Sequence, residues 1–164
     1  WNNLKISTKK VLQSLSIKYH LAIDIDIKKN PRGNIIPSYL DYDNVSEVYL
    51  NTKEAKLDFK YETSFLKEHP ITRKLCLANH AFVPLEQESQ IKSRELLNHG
   101  KKFTLNNEII TDIFNNIHIN TFTLKWNKGK SIIIDNFRFM HGRLSFDALE
   151  KREIIIRQLK NFKI

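Results

Sequence analysis

One histidine followed by widely spaced arginines marks the part of the sequence that could carry out chemistry. His141 ends an apolar, strand-like run, Gly142 allows close approach of the backbone to a ligand, and Arg152 and Arg157 return on the next predicted strand. A single histidine beside apolar residues is most often a packed core residue, and that interpretation stays open. With arginines opposite, a histidine suits a divalent metal that binds an acidic cosubstrate, because guanidinium groups bind carboxylates through two parallel hydrogen bonds.

The other polar residues show no comparable arrangement. His99 and His118 lack the spacing of a ligand pair, and Ser145 has no acid–base partners that would make it a nucleophile. The single cysteine, Cys76, excludes an internal disulfide framework and any zinc site with several thiolates. The segment around His141 is therefore the candidate site.

The composition is that of an ordinary globular domain. The chain has 164 residues, of which 41% are hydrophobic and 27% are charged. No apolar run approaches the ~18 residues that a membrane-spanning helix needs. The net charge is +9, but the 27 Lys and Arg residues are scattered among 18 Asp and Glu residues. Because nucleic-acid recognition needs charge gathered into a patch, we predict no specific nucleic-acid partner and no membrane partner.

Helices and strands are predicted to alternate along the first half of the chain. A helix is predicted from Ser7, which can cap it, to about Tyr19. The alternation of apolar and charged residues at 23–27 predicts a strand with one solvated face. The polar stretch 41–60 is expected to hold short strands, and 73–82 is predicted as another strand region.

Two more helices and a group of strands are predicted in the second half. One helix is expected at 86–99, ending at Gly100, and another begins near Asn106, which can cap it. The buried stripe of this last helix is predicted to be Ile109, Ile110, Ile113, Phe114 and Ile117. The strands predicted near the end of the chain are 121–126, 131–135 and 153–159, the first two joined by a turn at 127–130.

The residues around His141 spell a longer pattern. From Trp126 the chain reads Trp-x-x-Gly-x-x-Ile-Ile-Ile-Asp-Asn-x-Arg-x-x-His-Gly-Arg-x-x-Phe, followed by Arg152. This pattern resembles the C-terminal half of the taurine dioxygenase-like oxygenases, which include γ-butyrobetaine and trimethyllysine hydroxylases. Residues 69–79 read His-Pro-Ile-Thr-Arg-Lys-x-x-x-x-Asn, similar to the His-Pro-x-Thr-Gly-Lys-x-x-x-x-Asn stretch of taurine dioxygenase. Residues 1–16 resemble the helix that follows the Gly-Gly-x-Thr strand of that family.

The resemblance implies a fold and a set of site residues. The expected fold is mainly β with flanking helices (α+β), a double-stranded β-helix or jelly roll. His141 is implied to be the second histidine of a triad of two histidines and one carboxylate that holds Fe(II). Arg152 is implied to bind the distal carboxylate of the cosubstrate 2-oxoglutarate. Arg157 is close in sequence to a second arginine that, in several members, approaches the cosubstrate or an anionic group of the substrate. Asn79 matches a position near the substrate, although a turn asparagine is an equally good interpretation.

One element of the family pattern is absent from the sequence. The first histidine and the carboxylate of the triad come from His-x-Asp or His-x-Glu, and none of the six histidines begins such a motif. In the family this motif lies upstream of the first helix, so it would precede Trp1. We therefore expect residues 1–164 to be the C-terminal portion of a single oxygenase domain. A partner chain that supplies the motif, or a degenerate protein that binds no iron, are the alternatives.

The function implied by the resemblance is that of a cytoplasmic dioxygenase that requires Fe(II), 2-oxoglutarate and O2. Its substrate is expected to be a small metabolite, such as an amino-acid-like, sulfonate or betaine-type compound, with hydroxylation as the default outcome. The competing class is a non-catalytic jelly-roll binding module whose +9 charge recruits an acidic partner. The sequence leads to no prediction of oligomeric state.

Overall fold

The fold is built on an antiparallel sheet with two helices packed on one of its faces. The computed structural model of the protein describes residues 1–25, 42–77, 81–82, 85, 90–125, 127–135, 138–140 and 142. The elements of this part of the chain are α1 (Ile6–Ser14), β1 (Leu15–Asp24), a 3-10 turn (Tyr42–Asn44), β2 (Val45–Asn51), β3 (Lys56–Ser64), β4 (Lys67–Glu68), β5 (Leu75–Cys76), β6 (Ile91–Asn98), β7 (Lys101–Phe103) and α2 (Asn107–Ile119). Five strands form one sheet in the order β2-β3-β1-β6-β7, and β4 pairs with β5 in a separate hairpin.

The first helix is shorter than predicted, because the chain changes from helix to strand at Leu15. The Ser14 hydroxyl donates to the Val11 carbonyl (2.8 Å), and Leu15 is already extended. From Leu15 to Tyr19 the buried residues recur every second position, which is the period of a strand. The predicted cap is also wrong: Lys5 occupies the N-cap position, and no side chain of its own caps the helix.

The predicted helix at 86–99 is wrong where the structure describes it, because Ile91–Asn98 forms strand β6. This strand pairs with β1 along Leu15–Leu21, and the antiparallel pairing of its backbone with β1 overrides the helical preference of its Glu, Arg and Leu residues. Gly100 does not end a helix. It follows His99 in the tight connection to β7, and both residues have positive φ, as two-residue hairpin turns require.

The short strands expected at 41–60 are confirmed as β2 and most of β3, which pair in antiparallel register. Of the strand region predicted at 73–82, only Leu75–Cys76 is a strand in the described residues. The described residues of 121–126 and 131–135 are not assigned to strands. The turn between them is confirmed, since the Lys130 amide donates to the Asn127 carbonyl (3.1 Å) and Gly129 has φ +82°. The strand predicted at 153–159 lies outside the described residues.

Helix α2 confirms the prediction for its start. The Asn106 side chain accepts a hydrogen bond from the Ile109 amide (2.9 Å), as an N-cap asparagine does. Ile109 and Ile113 are buried as predicted, whereas Phe114 (48%) and Ile117 (39%) are exposed. The stripe therefore faces the sheet over a narrower arc than the sequence indicated.

One hydrophobic cluster joins the helices to the sheet. Along β1, Leu15, Ile17 and Tyr19 point towards the helices, and Ile17 is fully buried. The buried members of the cluster are Leu12, Leu15, Ile17, Tyr19, Phe65, Leu66, Leu105, Ile109 and Ile113. The alternate residues of β1, such as His20, lie on the opposite face of the sheet. The predicted class, mainly β with flanking helices, is confirmed and is consistent with a jelly-roll domain. No helix among the described residues is long and apolar enough to cross a membrane.

Candidate functional site

The four residues to which the resemblance assigns roles lie outside the described part of the chain. They are Asn79, His141, Arg152 and Arg157. Their roles therefore remain predictions. The structure does describe the residues that lead to His141, namely 127–135 and 138–140, together with the hairpin of β4 and β5 that precedes Asn79. The local geometry of these two segments is the structural information on the candidate site.

A histidine–carboxylate contact joins the two segments. The His69 Nε2 atom lies 2.9 Å from Oδ2 of Asp135, although the residues are 66 positions apart. His69 is 5% exposed and belongs to the loop between β4 and β5, whereas the Asp135 side chain is 40% exposed. The contact thus joins the upstream motif at 69–79 to the motif that carries His141.

The loop around His69 determines the tautomer of its ring. The backbone amides of Ile71 and Thr72 both donate to His69 Nδ1, over 3.2 and 2.9 Å. An atom that accepts from two N–H groups carries no proton of its own, so the proton of the neutral ring is assigned to Nε2. His69 therefore donates its Nε2–H to the Asp135 carboxylate. The hydrogen-bonding capacity of both ring nitrogens is satisfied in this arrangement.

The same loop holds an arginine in an unfavourable backbone conformation. The His69 amide donates to the Lys74 carbonyl (2.9 Å), and the Arg73 amide donates to the His69 carbonyl (2.9 Å), which closes the loop. Arg73 has φ +57° at the position where the resembling motif has glycine. Its guanidinium lies 2.7 Å from the Glu68 carboxylate, in an exposed ion pair.

Asp135 also organises the backbone that follows it. Its carbonyl accepts hydrogen bonds from the amides of Arg138 and Phe139, both over 3.0 Å. The Arg138 guanidinium lies over the Phe139 ring, 5.5 Å from its centroid. Asp135 is therefore held through its side chain by His69 and holds, through its carbonyl, the backbone two and three residues before His141.

The described residues do not by themselves provide a donor set that fits Fe(II). Within the described ranges, no three His, Cys, Asp or Glu residues are grouped to hold a metal ion. The His69–Asp135 pair does not fit such a role either. A metal needs the lone pair of a ring nitrogen, and the atom that faces Asp135 carries the proton. The pair is thus a hydrogen-bonded support rather than a pair of metal ligands.

A charged groove of about 510 Å³ lies on the sheet face away from the helices. Its centre is Asp58, 9% exposed, which accepts a hydrogen bond from the Lys92 ammonium and lies 3.3 Å from His20 Nε2. The Lys92 hydrogen bond, aided by the charges of Lys92 and His20, keeps the pKa of Asp58 below its usual value despite burial. Lys60 pairs with Glu47 nearby. The charges offset one another, so the groove has no strong preference for a ligand of either sign.

Sequence reasoning missed the roles of His69 and Asp135, although both residues lay inside the motifs that resembled the family. The sequence did indicate that the two segments could lie together, because both resemble parts of one family's pattern and each contains polar residues that could form a contact. Nothing in the chain order indicated which polar residues would meet.

Comparisons with known proteins extend the local match to almost the whole chain. Residues 1–158 match the taurine catabolism dioxygenase TauD, TfdA family. No curated protein and no solved structure gives a significant match. The family match includes both segments that the His69–Asp135 contact joins and covers far more than half of the sequence. The chain therefore belongs to the taurine catabolism dioxygenase TauD, TfdA family, within the superfamily of Fe(II)- and 2-oxoglutarate-dependent dioxygenases.

Proposed function

We propose that this chain is part of an Fe(II)- and 2-oxoglutarate-dependent oxygenase that hydroxylates a small metabolite. The observation that carries the proposal is the family match over residues 1–158. An amino-acid-like, sulfonate or betaine-type compound is the proposed substrate class, and a cytoplasmic location is part of the same proposal.

The proposed roles fall on residues at the C-terminal end of the match. His141 would bind Fe(II) through a ring nitrogen. Arg152 would bind the distal carboxylate of 2-oxoglutarate, since the planar guanidinium group matches a carboxylate with two parallel hydrogen bonds. Arg157 would assist with the cosubstrate, and Asn79 would lie near the substrate. With 2-oxoglutarate bound, the iron supplies the oxygen activation needed to oxidise a C–H bond.

Under this proposal, the other histidine and the carboxylate that hold Fe(II) would come from a His-x-Asp or His-x-Glu motif. His-x-Asp and His-x-Glu occur nowhere in the 164 residues, and the described residues contain no alternative group of ligands. The proposal therefore requires a further segment or a partner chain to contribute one histidine and one carboxylate. Arg152 would hold 2-oxoglutarate in one pose, which would limit the geometries in which the cosubstrate can react.

The test is a titration of the intact natural polypeptide with Fe(II) and 2-oxoglutarate without oxygen, followed by an assay of succinate release in air. We expect saturable binding of both, with 2-oxoglutarate affinity dependent on the metal. The His141→Ala variant should lose the metal and release no succinate. An intact, folded polypeptide that binds neither Fe(II) nor 2-oxoglutarate would overturn the proposal and favour a non-catalytic binding module.

A further inference from the structure

We propose that the groove around Asp58 binds a neutral sugar ring of the pyranose type. The groove lies on the sheet face away from the helices, and its volume of about 510 Å³ is in the range of sites for small ligands. The inference goes beyond the proposed function, because it needs neither Fe(II) nor 2-oxoglutarate and uses none of the residues assigned to them. It rests on the hydrogen-bonding groups that remain once the charges of the groove have paired with one another.

The first step of the argument is that the charges of the groove are already paired. The Lys92 ammonium donates to Asp58, and the Lys60 ammonium pairs with Glu47. The hydrogen bond from Lys92 lowers the pKa of Asp58, so this carboxylate is ionised at neutral pH. An anion would face two carboxylates, a cation would face two ammonium groups, and a zwitterion would have to compete with both ion pairs. The paired charges therefore favour a neutral ligand.

The second step is that polar atoms in the groove keep unused hydrogen-bonding capacity. Asp58 is 9% exposed, and its contacts with Lys92 and His20 both involve Oδ1, so Oδ2 has no partner among the described residues. The Asn51 Oδ1 atom accepts from two amides of the turn that follows, both over 3.2 Å, which leaves the Nδ2 group to donate. The buried part of the groove thus offers an acceptor, and its margin offers donors.

The third step is that the hydroxyl groups of a sugar match this set of atoms. A hydroxyl group can donate to one atom and accept from another at the same time. Neighbouring hydroxyls of one ring can therefore donate to Asp58 Oδ2 and accept from Asn51 Nδ2. An ammonium group has three N–H donors, so Lys60 and Lys92 can also donate to the sugar while they keep their carboxylate partners.

An aromatic ring beside Asp58 supplies a surface for the apolar face of the sugar. Tyr49 of β2 is the register partner of Asp58 in β3, so the two side chains leave the same face of the sheet next to each other. Tyr49 lines the groove, is 65% exposed and belongs to an edge strand of the sheet. The C–H groups on one face of a pyranose can pack against the electron-rich face of such a ring. The groove thus combines the polar and the apolar contacts that a sugar ring needs.

The variants remove one contact at a time. Tyr49→Ala removes the aromatic ring, and its exposure means that the truncation leaves no cavity in the core. Tyr49→Phe keeps the ring and is the matched control. Asn51→Asp keeps Oδ1 for the turn amides and replaces the Nδ2 donor by an acceptor. Glu108→Gln, in helix α2 on the other side of the sheet, is the control for a change outside the groove.

The test is a titration of the intact natural polypeptide, with no added metal, observed by NMR of its backbone amides. The probes are D-glucose, D-galactose and D-mannose. At least one should cause saturable shifts in the millimolar range at Tyr49 and Asp58, whereas Ile113 in α2 should not shift. The dissociation constant should rise about three- to tenfold in Asn51→Asp and in Tyr49→Ala, and change little in Tyr49→Phe and Glu108→Gln. Sodium acetate, methylammonium chloride and glycine, as the charged probes, should bind the groove more weakly than the sugar.

Each outcome decides the matter. A folded, unsubstituted polypeptide that shows no saturable shift with any of the three sugars would overturn the proposal. Shifts that grow linearly with concentration and extend over the whole chain would show only the effect of concentrated sugar on the solvent, and would also overturn it. Tighter binding of acetate, methylammonium or glycine would overturn the assignment of a neutral ligand, and equal losses in Tyr49→Phe and Tyr49→Ala would overturn the role of the ring. If Tyr49→Ala or Asn51→Asp fails to fold, the comparison of probes on the unsubstituted polypeptide decides. Failure of this proposal leaves the proposed function intact, because none of these measurements involves Fe(II) or 2-oxoglutarate.

Discussion

At the scale of single residues, side-chain chemistry and backbone conformation make separate contributions to the candidate site. His69 illustrates the contribution of side-chain chemistry: because its Nδ1 atom accepts two hydrogen bonds, the proton of the ring is assigned to Nε2. Arg73 illustrates the contribution of backbone conformation: it has a positive φ, which residues with a Cβ atom avoid. Both lie in one loop, so its chemistry and its strain can be tested independently.

Arg152 is the residue whose substitution should separate cosubstrate binding from folding. In Arg152→Ala, we expect the affinity for 2-oxoglutarate to fall by at least about tenfold, because the proposed charge-assisted, two-pronged contact would be lost. The unfolding midpoint should change little. The measurement is a 2-oxoglutarate titration of the iron-loaded polypeptide, with Arg157→Ala as the matched variant. Unchanged affinity in Arg152→Ala, with a large loss in Arg157→Ala, would assign the carboxylate contact to Arg157 instead.

Arg73 should be replaceable by glycine with a gain in stability. A residue with a Cβ atom at φ +57° loses about 1 kcal/mol relative to glycine, whereas its exposed ion pair with Glu68 contributes little. We therefore expect Arg73→Gly to raise the free energy of unfolding by about 1 kcal/mol in urea denaturation. Arg73→Ala, which removes the ion pair and keeps the strain, is the control. Equal stability of the two variants would contradict the strain argument.

At the scale of elements, α1 depends on α2 for the cap that its own sequence does not supply. The Asp112 carboxylate of α2 accepts the Lys5 amide at the start of α1 (3.0 Å). A hydrogen bond with the Thr8 side chain is the main influence that lowers the pKa of Asp112. The hydrogen bond from the Lys5 amide and the charges of Lys5 and Lys9 lower this pKa further, whereas burial raises it. Thr8 is 1% exposed and Asp112 9%, so this cap lies in the interface between the helices.

The shifted pKa of Asp112 predicts a loss of stability in acid. The pKa of Asp112 is lower in the folded protein than in the unfolded chain, where it is about 3.9. The ionised carboxylate therefore stabilises the fold fully above about pH 3.9, and this stabilisation disappears as the pH falls through the folded-state pKa. Asp112→Asn should lower the free energy of unfolding by about 1–2 kcal/mol at about pH 7 and weaken its decline below about pH 4. Urea denaturation across this range measures both effects. Glu108→Gln on the same helix, which loses an exposed ion pair with Lys5, should lower the free energy of unfolding less. An equal loss in both variants would argue against the cap.

At the scale of the whole molecule, the sheet separates two environments. The face covered by α1 and α2 carries the hydrophobic cluster, and the opposite face carries the groove around Asp58 with its paired charges. The net charge of +9 is therefore not gathered into one strongly basic patch in the groove, where Lys60 and Lys92 each have an acidic partner. The family match spans this whole arrangement.

The sequence by itself determined the features that depend on short-range pattern and on recognisable motifs. The Asn106 cap and the turn at 127–130 were predicted from neighbouring residues, because caps and turns are local. The family was predicted from the resemblance of short motifs, and the mainly β class followed from that resemblance. The tertiary structure alone decided which distant groups meet. It made 91–98 a strand, because that segment pairs with β1, and it joined His69 to Asp135 and Asp112 to Lys5. Such contacts follow from how the sheet and helices pack in space, and no periodicity along the chain encodes which polar group will face another across 66 or 107 residues.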